Sequence, residues 1–125
     1  MMASSVLIVD DSSVVRQAVA RLFADGGFEV CGEAESGQEA IEKAQSLNPG
    51  LIVMDLSMPM MNGIEAARCL RQLLPTVLII ILSDYGGLFP DQEARSAGIA
   101  AIVSKAECSS VLLYEARTLL YKTAA

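Results

Sequence analysis

Short aliphatic runs alternate with longer stretches whose apolar positions recur every three or four residues, and the alternation repeats five times along the chain. Ser5 to Val9 reads as a short buried strand, followed by a helix that Asp11 or Ser12 caps and in which Val14, Ala18 and Leu22, with Val15, Val19 and Phe23, form an apolar stripe. Gly26-Gly27 closes that helix. Phe28 to Ala34 alternates imperfectly, as an edge strand can, and Ser36-Gly37-Gln38-Glu39 has capping-box spacing before Ala40, Ile41, Ala44 and Leu47, so a second helix ends near Asn48-Pro49. Leu51-Ile52-Val53-Met54 is apolar at every position, the mark of a strand covered on both faces, and it runs straight into Asp55. Pro59 and Asn62-Gly63 supply turn chemistry before a third helix that begins near Ile64, carries Ala67, Leu70 and Leu74, and stops at Pro75. Thr76 to Leu82 is a fourth strand. A short helix spans roughly Asp91 to Ala97, Ile99 to Val103 is the fifth strand, and Ser109 or Ser110 caps a last helix with Val111, Leu112, Ala116, Leu119 and Leu120. Uninterrupted strand and helix alternation implies a parallel sheet with helices on both faces.

That architecture gives the polar residues their meaning. Asp10, Asp11, Asp55, Ser83 and Lys105 all follow buried strands, so they converge on the carboxyl edge of the sheet, where open α/β sheets hold ligands. Each has an ordinary role available: a helix cap for Asp11, a turn for Asp10, a strand terminator for Asp55 or Ser83, a solvated tail for Lys105. Those roles do not explain the convergence. Three neighbouring carboxylates repel one another in a partly dry cleft, and a hard divalent cation such as Mg²⁺, ligated by oxygen alone, offsets that repulsion.

Composition narrows the choices. At 125 residues and 53% hydrophobic the chain suits one domain with a sizeable core. Nine basic against fifteen acidic residues give a net charge of −6, which opposes direct nucleic-acid or anionic-membrane binding. The N-terminus has no basic residue, Val6 to Val9 is too short for a signal peptide, and the longest aliphatic run, Val77 to Leu82, is far below the ~20 residues of a membrane helix, so a cytoplasmic protein is expected. Three widely spaced cysteines, Cys31, Cys69 and Cys108, make no disulfide framework. The absence of histidine excludes a Ser-His-Asp triad, a histidine base and a zinc site with histidine ligands. Neither glycine-rich nucleotide-binding motif occurs.

The paired acids after strand one, Asp55 with Met58-Pro59 and Asn62-Gly63 behind it, the hydroxyl after strand four and the lysine after strand five resemble the receiver domain of two-component response regulators, over nearly the whole chain. The resemblance implies a single receiver domain over residues 1–125 with the flavodoxin-like strand order 2-1-3-4-5. It implies Asp55 as phosphoacceptor, and Asp10, Asp11, Asp55 and the main-chain carbonyl of Ser57 as Mg²⁺ ligands. Ser83 resembles the hydroxyl that turns to the phosphoryl group and Lys105 the cation that pairs with it. A histidine kinase or phosphotransfer protein upstream, a protein partner or fused output domain downstream, and a monomer or weak homodimer are the implied associations.

Three positions depart from the family pattern. Ile102 stands where an aromatic residue is common, Ala106 where proline often follows the lysine, and Asp84 where a small residue often follows the hydroxyl. Ile102, β-branched and without a polar tip, is expected to pack in one place, which leaves the Ser83 to Pro90 loop, with Gly86-Gly87, to carry conformational change. Two other functions compete: a receiver-fold interaction module that never cycles, and a haloacid-dehalogenase-like phosphatase, against which stands the absence of Asp-x-Asp after strand one.

Overall fold

A computed structural model describes residues 4–84, 91–107 and 109–124. Five strands, β1 (Ser5–Val9), β2 (Glu29–Ala34), β3 (Leu51–Asp55), β4 (Leu78–Ser83) and β5 (Ala101–Ser104), alternate with five helices, α1 (Ser13–Asp25), α2 (Gly37–Leu47), α3 (Gly63–Leu73), α4 (Asp91–Ser96) and α5 (Ser109–Ala124). All strand pairings are parallel and the order is β2-β1-β3-β4-β5. The chain thus crosses from one half of the sheet to the other between β1 and β3, the switch point of a doubly wound sheet.

Strand alternation sorts the core into two layers. Leu7, Val9, Ile52, Met54, Ile79 and Ile81 pack with apolar residues of α2, α3 and α4. Val6, Ile8, Leu51, Val53, Ile80 and Leu82 pack on the other face with Phe23 of α1 and Leu112 and Ala116 of α5. Because the three central strands are covered on both sides, every residue of β3 is buried, the physical reason its sequence is aliphatic throughout.

The imperfect alternation in Phe28 to Ala34 has a specific cause. Val6 pairs with Val30 but Leu7 pairs with Gly32, so Cys31 is an inserted residue at a β-bulge, its thiol 3.4 Å from the Val6 carbonyl. Burial pushes the Cys31 thiol up from its ordinary pKa. Cys31 and Cys69 are free.

Helix ends follow local chemistry. Ser12, rather than Asp11, caps α1, its hydroxyl accepting from the Val15 amide. Ser36 caps α2 by accepting from Glu39 N–H, but the Glu39 carboxylate reaches back to the Glu35 amide, one residue beyond the usual capping box. Asn48 ends α2 in the left-handed region at φ 48. The expected apolar stripe of α1 is corrected: Val14 is 76% exposed and Ala18 is exposed, while Val19 and Leu22 pack with buried Phe23. Helix α5 is already under way at Ser109, so, contrary to expectation, neither Ser109 nor Ser110 is its cap. Cys108, Gly86-Gly87 and Pro90 lie outside the described residues. No described helix is long and apolar enough to cross a membrane.

Candidate functional site

Main-chain hydrogen bonds extend the sheet one step past its strands and so fix where the candidate side chains emerge. Asp10 N–H donates to Ala34 O (3.0 Å), Leu56 N–H to Leu82 O (2.9 Å) and Lys105 N–H to Ser83 O (2.8 Å). Asp10, Asp55 and Lys105 share the strand parity of Val6, Val53 and Val103, residues of the layer facing α1 and α5. They meet: Lys105 Nζ lies 3.1 Å from Asp55 Oδ1 and 3.4 Å from Asp10 Oδ2. Asp10, Asp11 and Asp55 each present a carboxylate oxygen within 4.8 Å of the others.

The three acids stand in different surroundings. Asp10 and Asp55 are 2% and 3% exposed, whereas Asp11 faces solvent. The turn role and the site role of Asp10 divide between its two oxygens. Oδ1 accepts from the Ser12 amide at 2.9 Å, while buried Oδ2 has the nearby lysine charge but no hydrogen bond. An under-satisfied buried carboxylate oxygen beside two more carboxylates is the donor set that a hard oxygen-seeking cation satisfies.

Burial pushes the Asp55 carboxyl above its ordinary value, and the neighbouring Asp10 charge adds to this. The Lys105 hydrogen bond and charge, with the Ser57 amide, act in the opposite direction without cancelling the rise. For Lys105 burial acts downward, yet the hydrogen bond to Asp55 and the charges of Asp10 and Asp55 outweigh it, so the ammonium is held above the usual lysine range. The cluster therefore holds Lys105 as an ammonium and sets that single positive charge against three carboxyl groups, more than it can neutralise.

Ser83, 3% exposed, ends β4. It shares the parity of Ile79 and Ile81, so it stands at the same edge of the sheet but on the α3 and α4 side, and its carbonyl is the acceptor that anchors Lys105. Ser57 follows Asp55 by two residues, its amide donating to Asp55 Oδ1 at 3.4 Å. Asp84 is exposed. Ile102 packs against the layer containing Ala94, Ala97 and Ile99. The Ser83 to Pro90 loop is described only at Ser83 and Asp84. No cis peptide bond occurs among the described residues, including Lys105–Ala106.

One supporting residue, Arg16, carries no signal in the sequence, and another, Gly63, reads there only as a turn former. Arg16 Nη1 donates to the Asp10 carbonyl at 2.9 Å while its Nε bonds Glu33 Oε1 at 3.1 Å, bracing the turn after β1 from α1. Gly63 opens α3 in contact with the strand it follows: a Cβ there would lie 2.6 Å from the Asp55 carbonyl oxygen. Asn62 and Glu65 form a full capping box at this point, a relation its Asn-x-x-Glu spacing advertises.

The family model of the response regulator receiver domain matches residues 6–117. The chain is 38% identical over 104 residues to chemotaxis protein CheY of Thermotoga maritima, covering 83% of this chain and 87% of that protein. It is 36% identical over 117 residues to transcriptional activator protein ExaE of Pseudomonas putida, covering 92% of this chain and spanning 54% of that protein. Among solved structures, a LuxR-family two-component response regulator from an Aurantimonas species superposes with a TM-score of 0.90 at 30% identity, covering 97% of this chain and 87% of that one. Sheet order, the acids at its carboxyl edge and a family match across nearly the whole length agree, and the chain belongs to the response regulator receiver domain family.

Proposed function

We propose that Asp55 is the phosphoacceptor of a phosphorelay. The observation that carries this reading is the meeting of Asp55 with Lys105, Asp10 and Asp11 at the switch point of the sheet. In the proposed step an ionised Asp55 oxygen attacks phosphorus of a phosphohistidine on a histidine kinase or phosphotransfer protein. A P–O bond forms, the P–N bond breaks, and its electron pair leaves on the imidazole. The product is an acyl phosphate.

Asp10, Asp11, Asp55 and the Ser57 carbonyl would hold Mg²⁺. The ion supplies charge neutralisation for the phosphoryl oxygens when bound. Lys105 is already cationic against Asp55 and pairs with the incoming group, while the Ser57 amide sits within reach of the same oxygen. The hydroxyl of Ser83 becomes a donor to the modified residue once the β4 end moves. Modification adds about 1.5 to 2 negative charges to an acidic cleft, and the new contacts of Ser83 and Lys105 favour one of two conformations. That change regulates a partner protein or an attached output domain. The acceptor domain assists its own phosphotransfer and dephosphorylation and turns over no separate substrate.

Acetyl phosphate with Mg²⁺ tests this by intact-mass spectrometry. A gain of one phosphoryl group that EDTA prevents supports cycling, and an unmodified chain under conditions that label a known receiver supports the non-cycling interaction module instead. Sustained hydrolysis of small phosphate esters would indicate the phosphatase.

A further inference from the structure

At the opposite end of the sheet the charge reverses. Arg68, Arg71 and Arg95 line one open cavity of about 410 Å³ together with Gln72, Ser96 and Gly98, and no acidic residue lines it among those described. Half of the chain's six arginines thus share one concavity in a protein of net charge −6. Arg71 is held in place: Nη1 donates to the Val77 carbonyl at 2.9 Å, and its stem lies so close to Gly98 that a Cβ there would come within 2.6 Å of Cγ. Gly98 sits at φ +82, a conformation that favours glycine, and so permits this approach. Among the described residues one donor of the Arg71 guanidinium is used, and its five N–H groups leave further donors to offer a ligand. Arg68 precedes it by three residues on the same helix face, and Arg95 reaches the cavity from the last turn of α4. Neither Arg68 nor Arg95 has an acidic partner among the described residues.

Basic residues near the ends of α3 and α4 also suit the helix dipoles. That accounts for each residue singly and not for three guanidinium groups lining one cavity with no carboxylate among its described residues. We infer that this cavity between α3 and α4 is a binding site for a phosphoryl-bearing anion, distinct from the acidic cluster. A single carboxylate matches one guanidinium fork, whereas a phosphoryl or diphosphoryl group offers several oxygens and two or more charges to all three. The volume lies within the range of about 300–1,000 Å³ usual for small-molecule pockets, and the negative charge of the whole chain disfavours an extended polyanion. Arg71, which lines the cavity, is tied to the Val77 carbonyl just before β4, and Gly98, also in the lining, precedes β5 by three residues; the other ends of those two strands lead to Ser83 and Lys105.

Metal-free protein titrated with inorganic pyrophosphate, and separately with a phosphoserine peptide, tests the site by amide NMR. The expected result is saturable shifts concentrated in residues 68–72 and 95–98. In R68Q/R95Q, whose two positions are exposed and whose folding is to be checked by its urea midpoint, affinity should fall at least about tenfold, since two sets of charge-assisted hydrogen bonds are lost. R68K/R95K, which keeps charge without the fork, should fall between. Tighter binding of pyrophosphate assigns a free diphosphate as the ligand, and tighter binding of the peptide assigns a phosphorylated partner. Shifts that never saturate and scatter to Arg16, Arg21 and Arg117, unchanged affinity in R68Q/R95Q, or equal binding of a glutamate-rich peptide would overturn the assignment.

Discussion

Replacing Lys105 with methionine keeps much of the side chain's bulk and deletes its charge. The ammonium, on a side chain 22% exposed, faces two nearly buried carboxylates at 3.1 and 3.4 Å. With an effective dielectric of about 20, each contact represents roughly 5 kcal/mol of gross attraction, most of which offsets the desolvation of the groups involved. Removing one partner of a buried pair costs about 3–5 kcal/mol, and the partial exposure of Lys105 puts the expected loss near the lower end. Proton uptake then limits it. Burial already raises Asp55, and the Lys105 hydrogen bond is the main influence holding it down, so K105M raises that carboxyl further. A carboxyl raised on folding penalises the native state while it must stay charged, above its folded pKa, and the penalty fades as pH falls through that value. Lys105's own stabilising contribution, from an ammonium raised on folding, disappears only as pH rises above the ordinary lysine range. Urea unfolding of wild type and K105M in EDTA should therefore show a large loss at pH 8 that shrinks towards pH 5, and Mg²⁺ at pH 8 should restore part of it. A loss independent of pH, or a more stable variant at pH 8, would refute this electrostatic account of the cluster.

Gly63→Ala drives a Cβ into the Asp55 carbonyl oxygen and to 3.1 Å from both Leu56 Cα and Ile81 Cδ1. Backbone must shift, at a cost of ~1–3 kcal/mol in urea unfolding, with slower phosphorylation although no charged group changes. Asn62→Ala removes the cap of α3 and should cost about 1 kcal/mol, measured the same way, with little effect on Mg²⁺ affinity. Asp11→Ala should weaken Mg²⁺ binding measured by titration while raising apo stability slightly, because repulsion from Asp10 and Asp55 is relieved; unchanged Mg²⁺ affinity would remove Asp11 from the site.

Much of this was legible in residue order because burial on both faces leaves an unmistakable pattern. Leu51 to Met54 admits no amphipathic reading, so the placement of Asp55 at a strand end followed directly, and the same logic delivered Asp10, Ser83 and Lys105. Helix α1 was harder. Val14, Val15, Ala18 and Val19 are all apolar, so periodicity offers two overlapping faces, and only packing against β1, β4 and α5 selects Val19, Leu22 and Phe23. Bulged Cys31 broke the period-two pattern of β2 without announcing where the extra residue lay. Arg16 and Gly63 matter through main-chain atoms distant in sequence or fixed by close approach, which a list of side chains does not display. Ser83 reached the expected edge, yet its alternation places it on the opposite side from Lys105, a distinction that depends on register.

The central claim is that Asp55, and no other acid of the cluster, forms the acyl phosphate. Protein treated with acetyl phosphate and Mg²⁺, then reduced with borohydride, converts a phosphorylated aspartate to homoserine, which peptide mass spectrometry locates. The account predicts homoserine at position 55 alone and none in Asp55→Asn. Homoserine at position 10 or 11, or undiminished labelling of Asp55→Asn, would contradict it.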